Sequence, residues 1–303
     1  MVIGATRKAV VVQIGSGNPL KGRFASPGDV VARAGEENFP VASRMLPRRI
    51  RAHLLAIYGF ARLADDIGDE AVGDRLALLD WLEGELELAA TGEATHPVLQ
   101  RLSPVLRESE VGLEPFRCLI EANRIDQRVH RYASFDELVG YCMLSAAPVG
   151  RLVLEVFGVS TPATLALSDR VCTGLQIVEH LQDVGEDAAQ GRVYLPQEDL
   201  DRFGCRVDEF RSASAGTALR CLIAMEADRA RALLAAGAPL ARQLPLRPRL
   251  AVAGFTAGGM AAIDSIRRAH YDVLAVRCRP RRSRLAVRAL ASLVGASWNR
   301  AVA

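Results

Sequence analysis

Apolar residues recur every three or four positions through most of the chain, and this helical period constrains the fold more than any other feature. The stretches that show it are 49–64, 75–90, 114–129, 135–157, 163–186, 216–236 and 248–275. Clusters of Gly, Pro and Thr such as TGEATHP and GVSTPAT separate them, as is typical of breaks between helices. No alternating strand pattern competes, so we predict an all-α fold.

The two ends of the chain differ from its middle. Residues 1–34 are rich in Gly, Pro and Ser, which predicts a mobile N-terminal tail. Residues 35–278 hold the helical stretches without a recognisable linker, which predicts one domain. Residues 279–303 begin with close arginines and continue as a small-residue amphipathic stretch ending near Trp298. This tail either lies in a membrane interface, packs on the core as a last helix, or is disordered.

Charge and composition exclude several classes of protein. The formal net charge is only +3, which argues against a nucleic-acid binder. We expect no apolar run to reach the roughly 18 residues of a membrane span, and RKAVVVQIG is too short for a secretory signal. We therefore expect a cytoplasmic protein.

The cysteines and histidines show no pattern of a disulfide or zinc site. The six cysteines form no CxxC and are expected to be small buried hydrophobes, and the five histidines show no zinc-site spacing.

Two segments far apart in sequence place carboxylates on a helix face at the same four–three–four spacing. In YGFARLADDIGDE (58–70) the residues that share a face are Tyr58, Arg62, Asp65 and Asp69, with Asp66 off to one side. In GLQIVEHLQDVGED (174–187) they are Gln176, His180, Asp183 and Asp187, with Glu179 beside them. One interpretation is ordinary solvated acids. The other is two facing sets of oxygen ligands that hold a diphosphate through Mg²⁺ ions, with Arg62 touching the phosphate.

A third segment, YCMLSAAPVGRLVLEVFG (141–158), offers an apolar wall with room beside it. Ser145 and its neighbours are small, and Pro148 is expected to kink the helix because proline has no N–H. Such a wall would shield from water a carbocation left by a departing diphosphate. Ordinary helix packing is the alternative.

These segments together resemble the squalene/phytoene synthase family, over about residues 36–277. The residues that carry the resemblance are YGFARLADDIGDE, GYCMLSAAPVG and QIVEHLQDVGEDAAQGRVYLPQEDL. Within the family, ENFPVAS and SAAPVG are similar to the bacterial hydroxysqualene synthase branch of hopanoid and squalene synthesis. The resemblance implies a single-domain isoprenoid-synthase-like helical bundle around a central cavity. It also implies Mg²⁺-dependent ionisation of presqualene diphosphate, rearrangement of the cation and capture by water.

The resemblance also implies roles for particular residues. Asp65, Asp69, Asp183 and Asp187 would be the metal-binding and catalytic acids. Arg62 would contact the diphosphate, and Tyr58 and Gln176 would be pocket residues near it. Glu179, beside the second acidic face, and Ser145, in the small-residue segment, are two further candidate substrate contacts that the residues themselves suggest. Tyr141 would assist ionisation or stabilise the cation, unless it is a core tyrosine. Two positions depart from many family members, since Glu179 stands in place of Asn and Gln182 in place of Arg. Glu179 is either an extra metal ligand or the partner of His180 or an arginine.

The resemblance leaves two further hypotheses open. One is a head-to-head prenyl transferase that makes presqualene diphosphate or phytoene from two prenyl diphosphates. The loss of an arginine at Gln182 disfavours it. The other is a non-catalytic helical partner, which the four aspartates disfavour. The expected cofactor is Mg²⁺ without NADPH. The expected partners are presqualene diphosphate, a synthase that supplies it, and the inner face of the plasma membrane in transient contact, with no nucleic acid.

Overall fold

The computed structural model describes residues 10–11, 46–108 and 110–276, and that part of the chain is predominantly helical. The prediction of an all-α fold is therefore confirmed. The helices in chain order are α1 (Arg48–Glu70), α2 (Arg75–Thr91), α3 (Pro97–Glu108), α4 (Glu114–Asp126), α5 (Phe135–Ser145), α6 (Ala147–Val156), α7 (Pro162–Gln182), α8 (Val184–Ala189), α9 (Gln197–Phe203), α10 (Thr217–Gly237), α11 (Leu240–Gln243) and α12 (Leu246–Arg268), with a 3₁₀ helix at Val207–Arg211.

The predicted tails, 1–34 and 279–303, lie outside the described residues apart from Val10 and Val11. These two form β1 (Val10–Val11), which pairs in parallel with β2 (Ala71–Val72), so that Val10 lies opposite Ala71. The sequence pattern did not predict this pair, because two residues are too few to show alternation. Since β2 directly follows α1, the pair extends the end of a helix and does not compete with the helical core.

Local capping explains where the well-predicted helices begin. The Asp74 carboxylate accepts a hydrogen bond from the Ala77 backbone N–H over 3.0 Å and so starts α2. Thr161 and Thr164 form a capping box at the start of α7, and Pro162 supplies a first residue whose missing N–H costs nothing there. These signals are local, so the sequence predicts both starts to within about a residue.

Two predicted helices are each divided in the structure. The stretch 135–157 is broken at Ala146 into α5 and α6, with Pro148 in the first turn of α6. The predicted kink is therefore a helix boundary, because proline is accepted in a first turn but not in a helix interior. The stretch 163–186 is broken at Asp183, whose φ of −109° and ψ of 12° are not helical. Helix α3 was missed, although Val98, Leu99, Leu102 and Val105 recur at helical spacing; Pro104 stands inside this helix, where proline is disfavoured.

The bundle places α1 and α7 around a shared interior. Helix α1 packs on α3, α4 and α6, whereas α7 packs on α5, α6, α10 and α12. Both helices line the cavities described below. The two acidic segments predicted from spacing therefore reach the same interior from different helices.

Residues 135–156 are long and apolar enough to contradict the expectation that the chain has no membrane-length apolar run. Phe135–Val156 spans 22 residues and contains a window of mean hydropathy 1.3, so its length and composition would suffice to cross a membrane. The expectation that no run is long enough was wrong. A core helix passes the same test. Here the stretch is divided into α5 and α6, and Val149, Val153 and Leu154 from it line an apolar cavity.

The cysteines follow the expectation only in part. Cys142 is buried, Cys118, Cys172 and Cys205 are half-buried, and Cys221 is exposed. Cys278 lies outside the described residues. The prediction of small buried hydrophobes was thus wrong for Cys221, whose position on α10 faces solvent.

Candidate active site

A polar cavity of about 250 Å³ collects most of the residues singled out from the sequence. Those that line it are Arg62, Asp65 and Asp69 from α1, Tyr141 and Ser145 from α5, Gln176, Glu179 and His180 from α7, Asp183 between α7 and α8, and Asp187 from α8. Tyr58 lies elsewhere, in the wall of a second, apolar cavity. Gln182 is not among the residues that line either cavity. The four–three–four spacing therefore predicted which acids meet.

The carboxylates of α1 are held by partners that come from other elements. The Asn123 side-chain amide of α4 donates to Asp65 Oδ1 over 3.2 Å, and the Arg192 guanidinium donates to Asp69 Oδ1 over 2.7 Å. Asp65 exposes surface to the cavity, yet protein encloses it on its other sides, and this desolvation raises its pKa to about 6. Both carboxylates therefore face the cavity and are not enclosed by the apolar core.

Arg62 is oriented by Asp66, the acid that helical spacing places to one side of the shared face. Its Nε lies 3.0 Å from Oδ1 of the buried Asp66, one turn later on α1. This pair holds the guanidinium at the cavity wall, since Arg62 also lines the cavity. Asp66 therefore positions a cation and is not a candidate metal ligand.

On the opposite wall, burial governs the charge of His180 and Asp187. Gln176 Nε2 lies 3.2 Å from His180 Nε2, and His180 Nδ1 lies 3.9 Å from Asp187 Oδ2. Burial lowers the pKa of His180 to about 3 and raises that of Asp187 to about 7. The separation would allow an ion pair, but the neutral imidazole favoured by burial makes it a polar contact instead.

A cluster of tyrosines around Asp126 was not predicted. The Tyr141 hydroxyl donates to Asp126 Oδ2 over 2.6 Å, and the Tyr194 hydroxyl donates to Oδ1 over 3.0 Å. The Tyr194 ring stacks on His180 with centroids 3.8 Å apart, and Tyr132 packs against both tyrosines. Burial raises the pKa of Asp126, and the two hydroxyl donors counteract that rise. The cluster thus fixes the Tyr141 ring at the cavity wall.

Sequence reasoning missed four residues of the polar cavity: Arg192, Tyr194, Asp126 and Asn123. Arg192 and Tyr194 lie in GRVYLP, inside a segment that carried the family resemblance, but no helix spacing relates them to the acids. Asn123 and Asp126 do stand three apart on α4, beside the cavity. That spacing was the signal that could have found them.

The donor chemistry of the cavity fits Mg²⁺ bound together with a phosphate ligand. Carboxylate oxygens of Asp65, Asp69, Asp183 and Asp187 are the hard donors that Mg²⁺ prefers. Within residues 46–108 and 110–276, no three or more His, Cys, Asp or Glu side chains come close enough to hold a metal by themselves. Mg²⁺ commonly uses one or two carboxylates plus substrate phosphates and water, so two separated acid sets suit it.

The second cavity has about 690 Å³ and a mainly apolar wall from α1, α6, α7 and α12. It shares five residues with the polar cavity, namely Asp65, Leu119, Ser145, Gln176 and Glu179. At this junction the Ser145 Oγ is buried and has no hydrogen-bond partner among the described residues. One continuous site can therefore hold a charged group at one end and a long hydrocarbon at the other.

Comparison with known proteins agrees with this geometry. The family model of squalene/phytoene synthase matches residues 32–289. Hydroxysqualene synthases of Rhodopseudomonas palustris and Sinorhizobium fredii are 43% and 40% identical over 216 residues, which is 69% of this chain and 72% of each relative. The crystal structure of a squalene synthase from Alicyclobacillus acidocaldarius superposes with a TM-score of 0.73 at 42% identity, covering 81% of this chain and 97% of that one. This chain belongs to the squalene/phytoene synthase family.

Proposed function

We propose that the protein is a hydroxysqualene synthase that converts presqualene diphosphate to hydroxysqualene and diphosphate in the presence of Mg²⁺. The observation that carries the proposal is the junction of a carboxylate-lined cavity with an apolar cavity of about 690 Å³. The similarity to two hydroxysqualene synthases supports the choice of reaction within the family.

The polar cavity would bind the diphosphate. Asp65, Asp69, Asp183 and Asp187 would hold Mg²⁺, which when bound supplies positive charge that stabilises the leaving diphosphate. Arg62, oriented by Asp66, would contact a phosphate oxygen directly. Arg192, held by Asp69, adds a second guanidinium on the same wall.

The apolar cavity would hold the hydrocarbon and exclude water from the carbocation. Tyr141 presents its ring to the site while its hydroxyl proton is engaged by Asp126. Its pKa is raised well above the ordinary tyrosine value by burial, so a neutral phenol faces the cation. Water would reach the cation at the junction, where Ser145, Gln176 and Glu179 are polar. Its oxygen forms the new C–O bond, and the released proton goes to diphosphate.

This reaction consumes water and no hydride, so we propose no role for NADPH. We also propose that the substrate comes from a separate presqualene diphosphate synthase and that the protein acts in the cytoplasm.

The experiment is to incubate the purified protein with Mg²⁺ and either presqualene diphosphate or farnesyl diphosphate, with and without NADPH. We expect a C30 alcohol from presqualene diphosphate alone, unaffected by NADPH, in the hexane extract. Presqualene diphosphate or phytoene as the main product from a prenyl diphosphate would instead establish a head-to-head transferase. Absence of any product from either substrate would favour the non-catalytic alternative.

A further inference from the structure

The apolar cavity reaches the protein surface where the residues of its wall are exposed. These are Asp65, which lies at the junction with the polar cavity, and Val149 on α6 with Leu246 and Arg247 at the start of α12, which line the apolar cavity alone. We call the last three residues the cavity mouth. Leu246 is 67% exposed, the largest value among the exposed large apolar side chains of the described residues. Single exposed leucines are ordinary, but this one continues the wall of an apolar cavity into solvent.

Two segments that contribute to the wall of the apolar cavity are basic and contain no acids. Residues 46–64, which include the first part of α1, contain four arginines and no Asp or Glu. Residues 239–263, which include α11 and most of α12, contain Arg242, Arg247 and Arg249 and again no Asp or Glu. Both segments contribute to the cavity wall. The acids of the site thus all line the polar cavity, whereas these two segments supply positive charge and no acid up to residue 64 and between 239 and 263.

Not every arginine of these segments faces outward, and Arg62 is paired with Asp66 at the polar cavity. Arg49 lies 3.4 Å from a Glu108 carboxylate oxygen, and Arg249 Nε donates to the Leu244 carbonyl over 3.1 Å. Arg242 and Arg247 are exposed, and Arg247 belongs to the mouth itself. An exposed leucine with guanidinium groups beside it presents an apolar group and positive charge on one surface.

We infer that the cavity mouth docks on an anionic lipid bilayer. Such a bilayer offers the two complementary features, since phosphate groups lie at its surface and hydrocarbon lies a few ångströms below. Leu246 and Val149 would enter the boundary of the acyl chains, and Arg242 and Arg247 would contact phosphates. A hydrocarbon could then pass between the bilayer and the apolar cavity without crossing water. The docking stands on the surface alone and does not depend on which reaction the site performs.

The test is co-sedimentation of the full-length protein with vesicles of phosphatidylcholine, with and without phosphatidylglycerol, in low and high salt. We expect binding to the anionic vesicles that weakens at high salt. Leu246→Glu and Arg247→Glu should each weaken binding about tenfold, because one inserts a charge into the boundary and the other repels phosphate. The matched controls are Leu88→Glu on α2 and Arg101→Glu on α3, both exposed and outside the cavity wall. They should bind like the wild type.

Several results would overturn the inference. One is wild-type protein that does not bind anionic vesicles, and another is equal binding by the Leu246→Glu and Leu88→Glu variants. Loss of binding on truncation after Arg277, with none on Leu246→Glu, would assign the membrane contact to the C-terminal tail. A wild-type dimer that Leu246→Glu converts to a monomer, without vesicle binding, would show that a second copy covers the mouth. Thermal melting of each variant confirms that it is folded, and none of these measurements requires turnover.

Discussion

Asp126 shows how single residues shape this site. It is the last residue of α4, it accepts hydrogen bonds from Tyr141 and Tyr194, and burial raises its pKa. A buried carboxyl without those donors would be costly. The tyrosines therefore stabilise the acid, and the acid in turn holds the Tyr141 ring where it lines the polar cavity.

Replacing one of these hydroxyl groups should lower stability. Tyr141→Phe removes a donor to Asp126, and we expect a loss of about 1–3 kcal/mol in the free energy of unfolding. Denaturant unfolding measures it. Tyr132→Phe is the control, because the buried Tyr132 hydroxyl has no hydrogen-bond partner among the described residues and its removal should cost little. Equal stability of the wild type and Tyr141→Phe would contradict the role given to this hydrogen bond.

At the scale of elements, glycines let α7 approach α10 closely. A Cβ at Gly174 would lie 2.9 Å from Leu234 Cγ and 3.1 Å from the Ala230 carbonyl oxygen. Gly237 is equally confined against Val171 and Leu167 of α7. Since Gln176, Glu179 and His180 project from α7, the spacing of these two helices also sets the position of one cavity wall.

A methyl group at Gly174 should therefore be destabilising although alanine favours helices. We expect Gly174→Ala to lose about 1–3 kcal/mol through overpacking. Gly84→Ala, on the exposed side of α2 with open space around it, should instead gain about 0.5–1 kcal/mol. Melting of both variants checks the opposite signs. A stabilised Gly174→Ala would show that α7 and α10 can separate freely.

The packing of α9 on α10 encloses a carboxyl group with a displaced pKa. Glu226 Oε1 accepts from Arg229 Nη1 over 2.8 Å, and Arg229 also pairs with Asp199, whereas Glu226 Oε2 is buried and has no hydrogen-bond partner among the described residues. Burial raises the pKa of Glu226 to about 7. Between about pH 4.5 and 7 the folded state thus binds the proton that the unfolded state has lost. The contribution of Glu226 to the free energy of unfolding is therefore fully present at low pH and is lost as the pH rises through 7.

Glu226→Gln should remove that dependence. Relative to the wild type, the variant should become more stable as pH rises from 5 to 8, by an amount on the order of 1–3 kcal/mol. Unfolding of both proteins at a series of pH values measures the difference. Asp208→Asn, at a fully exposed residue paired with Arg206, is the control and should leave the difference flat. A constant difference between Glu226→Gln and the wild type would contradict the assignment.

For the whole molecule, the arrangement of the cavities matters more than any one helix. The polar cavity draws its wall from α1, α4, α5, α7 and α8 and from the loop that carries Arg192 and Tyr194. A ligand that bridges these elements binds only the folded state and must stabilise it. The proposed Mg²⁺–diphosphate ligand is of this kind.

Mg²⁺ with inorganic diphosphate should therefore raise the melting temperature more than either alone. At a concentration 100 times the dissociation constant the stabilisation would be about 2.7 kcal/mol. Asp65→Ala and Asp183→Ala should lose this shift and form no product, yet stay folded, because each removes a cavity carboxylate and little packing. Chelation by EDTA should reverse the wild-type shift. Either variant keeping the shift or near-full Mg²⁺-dependent activity would contradict the two-sided metal site.

Local spacing is sufficient to predict the helical class, most helix starts and the residues that share each acidic face. Helical periodicity and capping relate residues only three or four positions apart, so a short stretch of sequence is enough to recognise them. Spacing along the chain accordingly singles out Asp65, Asp69, Asp183 and Asp187. The family resemblance supplies Tyr141, the small residues of 141–158 supply Ser145, and both lie at the polar cavity in the folded protein.

Contacts between distant segments could be found only in the folded molecule. Arg192 meets Asp69 across 123 positions, and Tyr194 meets Asp126 across 68, with no local pattern to relate them. The break at Asp183 and the exposure of Leu246 are likewise seen only in the folded protein, whereas Arg62 and Asp66 stand one turn apart on α1, within the reach of local spacing. Sequence periodicity indicates which side of a helix is apolar. The packing of that helix against segments distant in sequence determines which charged side chains come into contact and where a cavity forms.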